Sequence, residues 1–236
     1  MEGFSQTDPI EPKRPALKEG VDHVFNQNPE LAAIGTKEQY AAYLESIFPE
    51  SKIRDIVYHG TALKEKIGSF DFSKSNFAKA VFFTDNLDFA KQFAFDDVRN
   101  GSVQEQLLNA KNPFDFTNPE HIEEIREIIT QLVSEGYKSP TMDFNNSSPS
   151  IFNGNELIQN PSQSDFVDHY MWRLRNGSWR IIETDRVVDF ISQKYDSIKI
   201  TERGSTNVAV FSKEQIHVLG SNKDLEGFKK SVDETK

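Results

Sequence analysis

Across residues 22–48 the apolar positions recur at helical spacing, with Tyr40, Tyr43, Leu44 and Ile47 on one face. Thr36 stands three residues before Gln39 at the head of this run, in the arrangement of a capping box. There, hydroxyl and carboxamide each satisfy the other residue's backbone N–H. Directly after the helices, Ile53-Arg54-Asp55-Ile56-Val57-Tyr58 reads as the first strand of a sheet. Residues 102–110 read as another strand, ended by Asn112-Pro113, because a proline lacks an N–H and restricts the residue before it. Residues 118–136 set Glu120, Glu123 and Glu124 against a stripe of Ile122, Ile125, Ile128, Ile129 and Leu132. That spacing predicts one amphipathic helix stopped by Gly136. Arg186, Val187, Val188 and Ile191 carry a further helix toward a strand at Tyr195.

Other stretches lack such periods. Residues 1–20, with Pro9, Pro12 and Pro15 among alternating charges, read as a loose arm. Residues 138–165 are rich in Ser, Asn and Pro and read as a long loop or insertion. Beyond them Tyr170, Trp172, Arg173, Arg175, Trp179 and Arg180 interleave aromatics with cations. Such a mix stacks bases and holds phosphates, or it is an amphipathic segment with its arginines in water. These shifts divide the chain into an arm (1–20), a helical segment (21–52), a main domain (53–220) and a C-terminal tail (221–236).

Composition narrows the picture. A chain of 236 residues forms one large domain, or a domain with an arm. Hydrophobic content is only 36%, but 19 Phe supply bulky core material. The absence of Cys excludes a disulfide scaffold, a Cys-ligated metal and a Cys nucleophile, and fits a reducing cytoplasm. No apolar stretch reaches the length of a membrane span, and the N-terminus lacks a basic-then-apolar leader. A formal charge of −10 gives no global basic footprint for nucleic acid, so a protein partner is the stronger expectation. His23, His121, His169 and His217 are scattered without metal-ligand spacing, and no metal is expected. There is no internal repeat and no Gly-rich phosphate loop.

Three pieces carry candidate chemistry. Tyr58-His59-Gly60-Thr61 closes the first apolar strand. Ala80-Val81-Phe82-Phe83-Thr84-Asp85 opens a second run, which continues into Ala90-Lys91-Gln92-Phe93-Ala94. Near the C-terminus, Lys194-Tyr195-Asp196-Ser197-Ile198-Lys199-Ile200 is followed by a short loop and then by the aliphatic run from Asn207 to Ile216. A lone His at a strand end is usually a surface residue, and Phe-Phe in an apolar run is usually core. The order of the pieces is what speaks.

In that order they resemble the NAD-binding half of an ADP-ribosyltransferase of the His-Tyr-Glu branch, which joins the diphtheria-toxin-like and poly(ADP-ribose) polymerase-like enzymes. The closing segment is similar to that of relatives in phage polyvalent proteins. The resemblance implies an α+β fold, a split antiparallel sheet with flanking helices, and NAD as substrate. It gives His59 the adenosine-side ribose hydroxyl and Gly60 the nicotinamide carboxamide, with Thr61 beside them. Phe82 takes the place of the family's Tyr, to stack on nicotinamide. Phe93, eleven residues on, matches the second aromatic. Ala90 falls where many relatives carry a carboxamide-binding Ser.

The family's acid maps to Asn207, at the first position of the aliphatic strand, so the triad reads His59, Phe82, Asn207. An amide keeps the hydrogen bond to the nicotinamide ribose and loses the charge that offsets an oxocarbenium-like transition state. Polymer synthesis is therefore not expected, while transfer of a single ADP-ribose is. Glu202, five residues earlier in the loop, is the alternative carboxylate, or an exposed loop acid beside Arg203; Glu214 falls in a turn after the strand. The resemblance leaves open a transferase acting on a macromolecule, an NAD glycohydrolase, or a noncatalytic NAD-binding module. It also leaves open a role as toxin, effector or phage-conflict protein.

Overall fold

A computed structural model describes residues 18–64, 70–72, 79–95, 100–136, 150–153, 156–175, 185–202 and 204–235. The arm reading for residues 1–17, and Trp179, Arg180 and Arg203, lie outside the described residues.

The predicted helical run is three helices: α1 (Lys18–Gln27), α2 (Pro29–Ile34) and α3 (Lys37–Ser46). Pro29 starts α2, where its missing N–H costs nothing. The capping box at α3 is complete. Gln39 N donates to Thr36 Oγ1 at 3.3 Å, and Thr36 N donates to Gln39 Oε1 at 2.8 Å. Then come β1 (Val57–Thr61), β2 (Val81–Thr84), α4 (Leu87–Ala94), β3 (Ser102–Leu108) and β4 (Pro113–Asp115). The first strand thus begins four residues later than its apolar run.

The predicted helix of residues 118–136 is two helices, α5 (Pro119–Glu124) and α6 (Arg126–Ser134). They part at Ile125, whose N–H bonds back to Ile122 O, three residues earlier. Ile125 stays fully buried across the break, so the apolar stripe persists while the axis changes. Gly136 does end it, at φ 79°.

The stretch read as a long loop contains, in its described part, the hairpin β5 (Ser150–Asn153) and β6 (Glu156–Gln159), with Ile151 buried. It runs into α7 (Gln163–Arg175). There Tyr170 is core and Arg175 pairs with Glu123. After α8 (Asp185–Ser192) come β7 (Ser197–Glu202), β8 (Ser205–Val210), a 3-10 turn at Lys213–Gln215, β9 (Ile216–Val218) and α9 (Asn222–Glu234).

The main sheet has seven strands in the order β4-β7-β8-β2-β1-β3-β9. All pairs are antiparallel except β4 with β7, so the sheet is mixed. The parallel pair arises because α5–α8 form a long crossover that returns the chain in the same direction. β1 and β2 meet in register through one residue pair, Tyr58↔Thr84. The sheet is thereby split into β4-β7-β8-β2 and β1-β3-β9.

Period-two alternation assigns the core. Phe82 and Ala209 face α5–α8, with Phe114, Ile125, Met171, Leu174 and Ile198. Their neighbours Phe83, Val208 and Val210 face the opposite side with Val57, Phe70 and Leu108. Leu107 and Tyr58 face α1–α3 and α9, with Tyr40, Leu44 and Phe228.

Residues 221–236, read as a tail, are mostly α9, capped by Ser221, whose Oγ accepts from Asp224 N. Asp224 is fully buried and accepts hydrogen bonds from Tyr40 Oη (2.6 Å), His217 Nε2 (2.7 Å) and Gly220 N (2.8 Å). Burial, and then the Asp224 charge, push the Tyr40 phenol far above its ordinary value. One carboxylate therefore ties α3, β9 and α9 together. Asp224→Ala leaves three donors unsatisfied. It should cost about 3–5 kcal/mol of unfolding free energy in a urea titration, against about 1 kcal/mol for the cap deletion Ser221→Ala.

Candidate active site

β1 pairs with β3 along its whole length but with β2 only at Tyr58↔Thr84. One residue past that join, a side chain takes over from the backbone ladder. His59 Nδ1 lies 2.9 Å from the Phe82 carbonyl oxygen. A carbonyl only accepts, so Nδ1 carries the proton and Nε2 of the neutral ring is an acceptor. The ring is wedged edge-to-face against Phe70, at 5.1 Å between centroids, and lies 5.5 Å from Phe83. Burial pulls the His59 pKa below its ordinary value, and the weaker pull of the Phe82 carbonyl opposes it. At neutral pH the imidazole is therefore uncharged, and Nε2 is available to a donor.

Gly60 has a packing reason to be glycine. A Cβ there would lie 1.9 Å from the Ala90 carbonyl oxygen and 3.2 Å from Phe93 Cβ. Gly101 is alike, with Thr61 O at 1.9 Å and Ala94 O at 2.8 Å. The two glycines seat α4 flush on β1 and β3, and buried Ala90 and Ala94 complete the contact. Asn86 starts the helix, its Oδ1 accepting from Phe89 N at 3.0 Å. α4 carries Phe93 beside Gly60; that ring is 52% exposed and meets Phe89 at 5.3 Å. Thr61 closes β1 and accepts from Leu63 N.

Phe82 and Phe83 point to opposite faces. Phe83 holds the His59 ring, whereas Phe82 offers His59 its carbonyl and sends its own ring toward the α5–α8 side. The resemblance gave Phe70, Phe83 and the Phe82 backbone no part in positioning His59.

Asn207 is the third residue of β8, not its first, in register with Thr84 on one side and Ile200 on the other. Glu202 is not a loop residue. It ends β7 and pairs with Ser205 across the tight turn at Gly204, which has φ 81°. The turn brings the two candidates together, with Asn207 Nδ2 donating to Glu202 Oε2 at 3.2 Å. Asn207 is 2% exposed, and its Oδ1 is buried with no hydrogen-bond partner. His59 and Asn207 are joined through β2, one bonded to the Phe82 carbonyl and the other in register with Thr84. Glu214 sits in the 3-10 turn.

Gln104 escaped the sequence reading. It is His59's cross-strand neighbour on β3, 1% exposed, with both side-chain amide atoms unpartnered. The available signal was Gln104-Glu105-Gln106, three polar residues that interrupt a strand otherwise apolar at its end. Among the described residues no group of three His, Asp or Glu side chains is arranged to hold a metal ion.

A sequence model of the family described as ADP-ribosyltransferase in polyvalent proteins matches residues 55–226. No curated protein and no solved structure matches the chain.

Two outcomes test this geometry. Gly60→Ala forces α4 off its seat and should destabilise by about 1–3 kcal/mol in urea unfolding. His59 binds a proton more weakly in the folded chain than in the unfolded one. Its contribution is therefore complete above about pH 6.5 and is lost as pH falls below that. The drop in unfolding free energy between pH 6.5 and 5 should be smaller in His59→Asn than in the native chain.

Proposed function

Because the chain belongs to the family of ADP-ribosyltransferases in polyvalent proteins, we propose that it splits NAD and moves one ADP-ribose to a macromolecular acceptor, a protein in preference to a nucleic acid. The observation that carries this reading is the fixed tautomer of His59 at the split between the sheet halves. It leaves one neutral acceptor, Nε2, suited to a ribose hydroxyl. A second acceptor, Asn207 Oδ1, lies across β2, buried and unpartnered.

In the reaction the glycosidic C–N bond of the nicotinamide ribose breaks, and nicotinamide leaves with the bonding electrons. The sugar passes through an oxocarbenium-like state. An acceptor nucleophile then bonds to the anomeric carbon and loses its proton to solvent. His59 orients the adenosine-side ribose, and Gly60 and Thr61 border the nicotinamide end. Phe93 gives the base an aromatic wall beside Gly60, with Phe82 across the split. Asn207 holds the nicotinamide-ribose hydroxyl. A neutral amide does not deprotonate an incoming hydroxyl, so the proposed product is a single ADP-ribose on each acceptor site and not a chain. The replacement of an acid by Asn207 also favours a second reading, NAD hydrolysis with water as acceptor or NAD binding without turnover. A cytoplasmic setting and a role against a host or a rival phage belong to the same proposal. Among the described residues no helix is long and apolar enough to cross a membrane.

Labelled NAD, incubated with the protein and a cell lysate, separates the readings. Label on macromolecules means transfer, free ADP-ribose means hydrolysis, and intact NAD means binding alone. His59→Ala should abolish NAD turnover while far-UV circular dichroism stays unchanged; full turnover in that folded variant would remove His59 from the site. Phe82→Ala and Phe93→Ala should each weaken NAD binding by about 1–3 kcal/mol in calorimetry, the range for a lost stacking partner. Phe82→Tyr should bind as the native chain does.

A further inference from the structure

We propose that Glu202 is a positioning residue for Asn207: it holds the carboxamide in one orientation and sets a negative charge one hydrogen bond behind the acceptor that meets the nicotinamide ribose. This rests on the NAD reading above.

The argument starts from what each group can do. A carboxylate accepts and does not donate, so the Glu202 oxygen 3.2 Å away selects the NH₂ side of Asn207. Turning the amide over would bring two oxygens together inside the protein, where repulsion is poorly screened. Oδ1 therefore faces away from Glu202, in the one orientation that this hydrogen bond permits.

The surroundings leave that oxygen without a donor. Ile200, in register on the β7 side, is buried and apolar. Thr84, in register on the β2 side, accepts from Asn86 N at 3.2 Å and makes no hydrogen bond to Asn207 Oδ1. A buried acceptor without a donor is disfavoured in a finished core, and here it lies on the sheet half that borders the split. A ribose hydroxyl, which brings its own hydrogen, would satisfy it once the enclosing side chains give way.

Glu202 also answers the lost charge. The family's acid would touch the ribose directly, whereas here the acid touches the amide that does so. A hydrogen bond from Nδ2 to a carboxylate draws electron density toward Oδ1 and strengthens it as an acceptor. The pair thus splits one carboxylate's two tasks, hydrogen bonding and charge, between two side chains on adjacent strands.

The test uses the full chain and the variants Glu202→Gln and Glu202→Ala, with NAD turnover as one measurement and the Asn207 side-chain amide NMR signals of the NAD-free protein as another. Glu202→Gln keeps an oxygen to receive Nδ2, so KM should stay within about twofold while kcat falls on the order of 10-fold. Glu202→Ala removes orientation as well as charge. It should raise KM, lower kcat on the order of 10²-fold, and shift the Asn207 amide signals. Native kcat and KM in both variants, beside an active parent, would overturn the positioning role; so would Asn207 signals unmoved in Glu202→Ala. A parent that neither binds nor cleaves NAD would instead overturn the NAD reading itself, and the amide signals would still report whether the pair forms. Equal urea midpoints for parent and Glu202→Gln would show that the kinetic change is not loss of fold.

Discussion

Everything around the site depends on a sheet that must stay one sheet while parting between β1 and β2. A single register pair, Tyr58↔Thr84, joins the halves, and the next contact belongs to His59 and the Phe82 carbonyl. A buried carbonyl without a donor costs about 1–3 kcal/mol. The Phe82 carbonyl is part-buried, so its share of that cost is smaller, and the imidazole faces it at the point where the ladder stops. The same bond fixes the tautomer, so the interaction that repairs the split also decides which nitrogen is offered to a ligand. Phe70 and Phe83 hold the ring in place from the side opposite the α5–α8 layer.

The helices outside the family match are part of this arrangement. Residues 18–46 precede the matched residues 55–226, yet Val21, Val24, Leu31, Tyr40 and Leu44 share a core with Ile56, Leu107 and Phe228. Asp224 fastens that core to β9 through His217. The half-sheet carrying His59 and Gly60 is thus backed by N-terminal and C-terminal helices together. The half carrying Phe82 and Asn207 is backed by α5–α8.

Much of this was legible in the sequence where the controlling interaction is local. The Thr36–Gln39 box, the Gly136 stop and the strand at residues 102–110 follow from neighbours a few residues apart. The order His59-Gly60, Phe82, Phe93 was readable because each lies in its own short element. The rest is set by partners distant in sequence. The break at Ile125 keeps the apolar period of an unbroken helix, so no pattern betrays it. β4 is parallel because of where a crossover of some eighty residues returns it. Glu202 looked like a loop acid because nothing in its vicinity says that the turn at Gly204 is tight enough to lengthen both strands. Gln104 is buried beside His59 of β1, a neighbour distant in sequence, which its own polarity argues against.

The seat of α4 governs how the cleft can respond to a ligand. The helix leaves β2 after two residues, yet it rests on β1 and β3, where Gly60 and Gly101 admit its carbonyls. It is therefore a clasp across the seam. Widening the seam would lift Ala90 and Ala94 off the glycines and expose a contact built without side chains to spare. Shear along it would drive the same carbonyls into their neighbours. On the proposed reading, a ligand at this seam is recognised by selection of its conformation, with little reshaping of α4. For NAD, affinity would then depend on how closely the free dinucleotide already matches its bound shape.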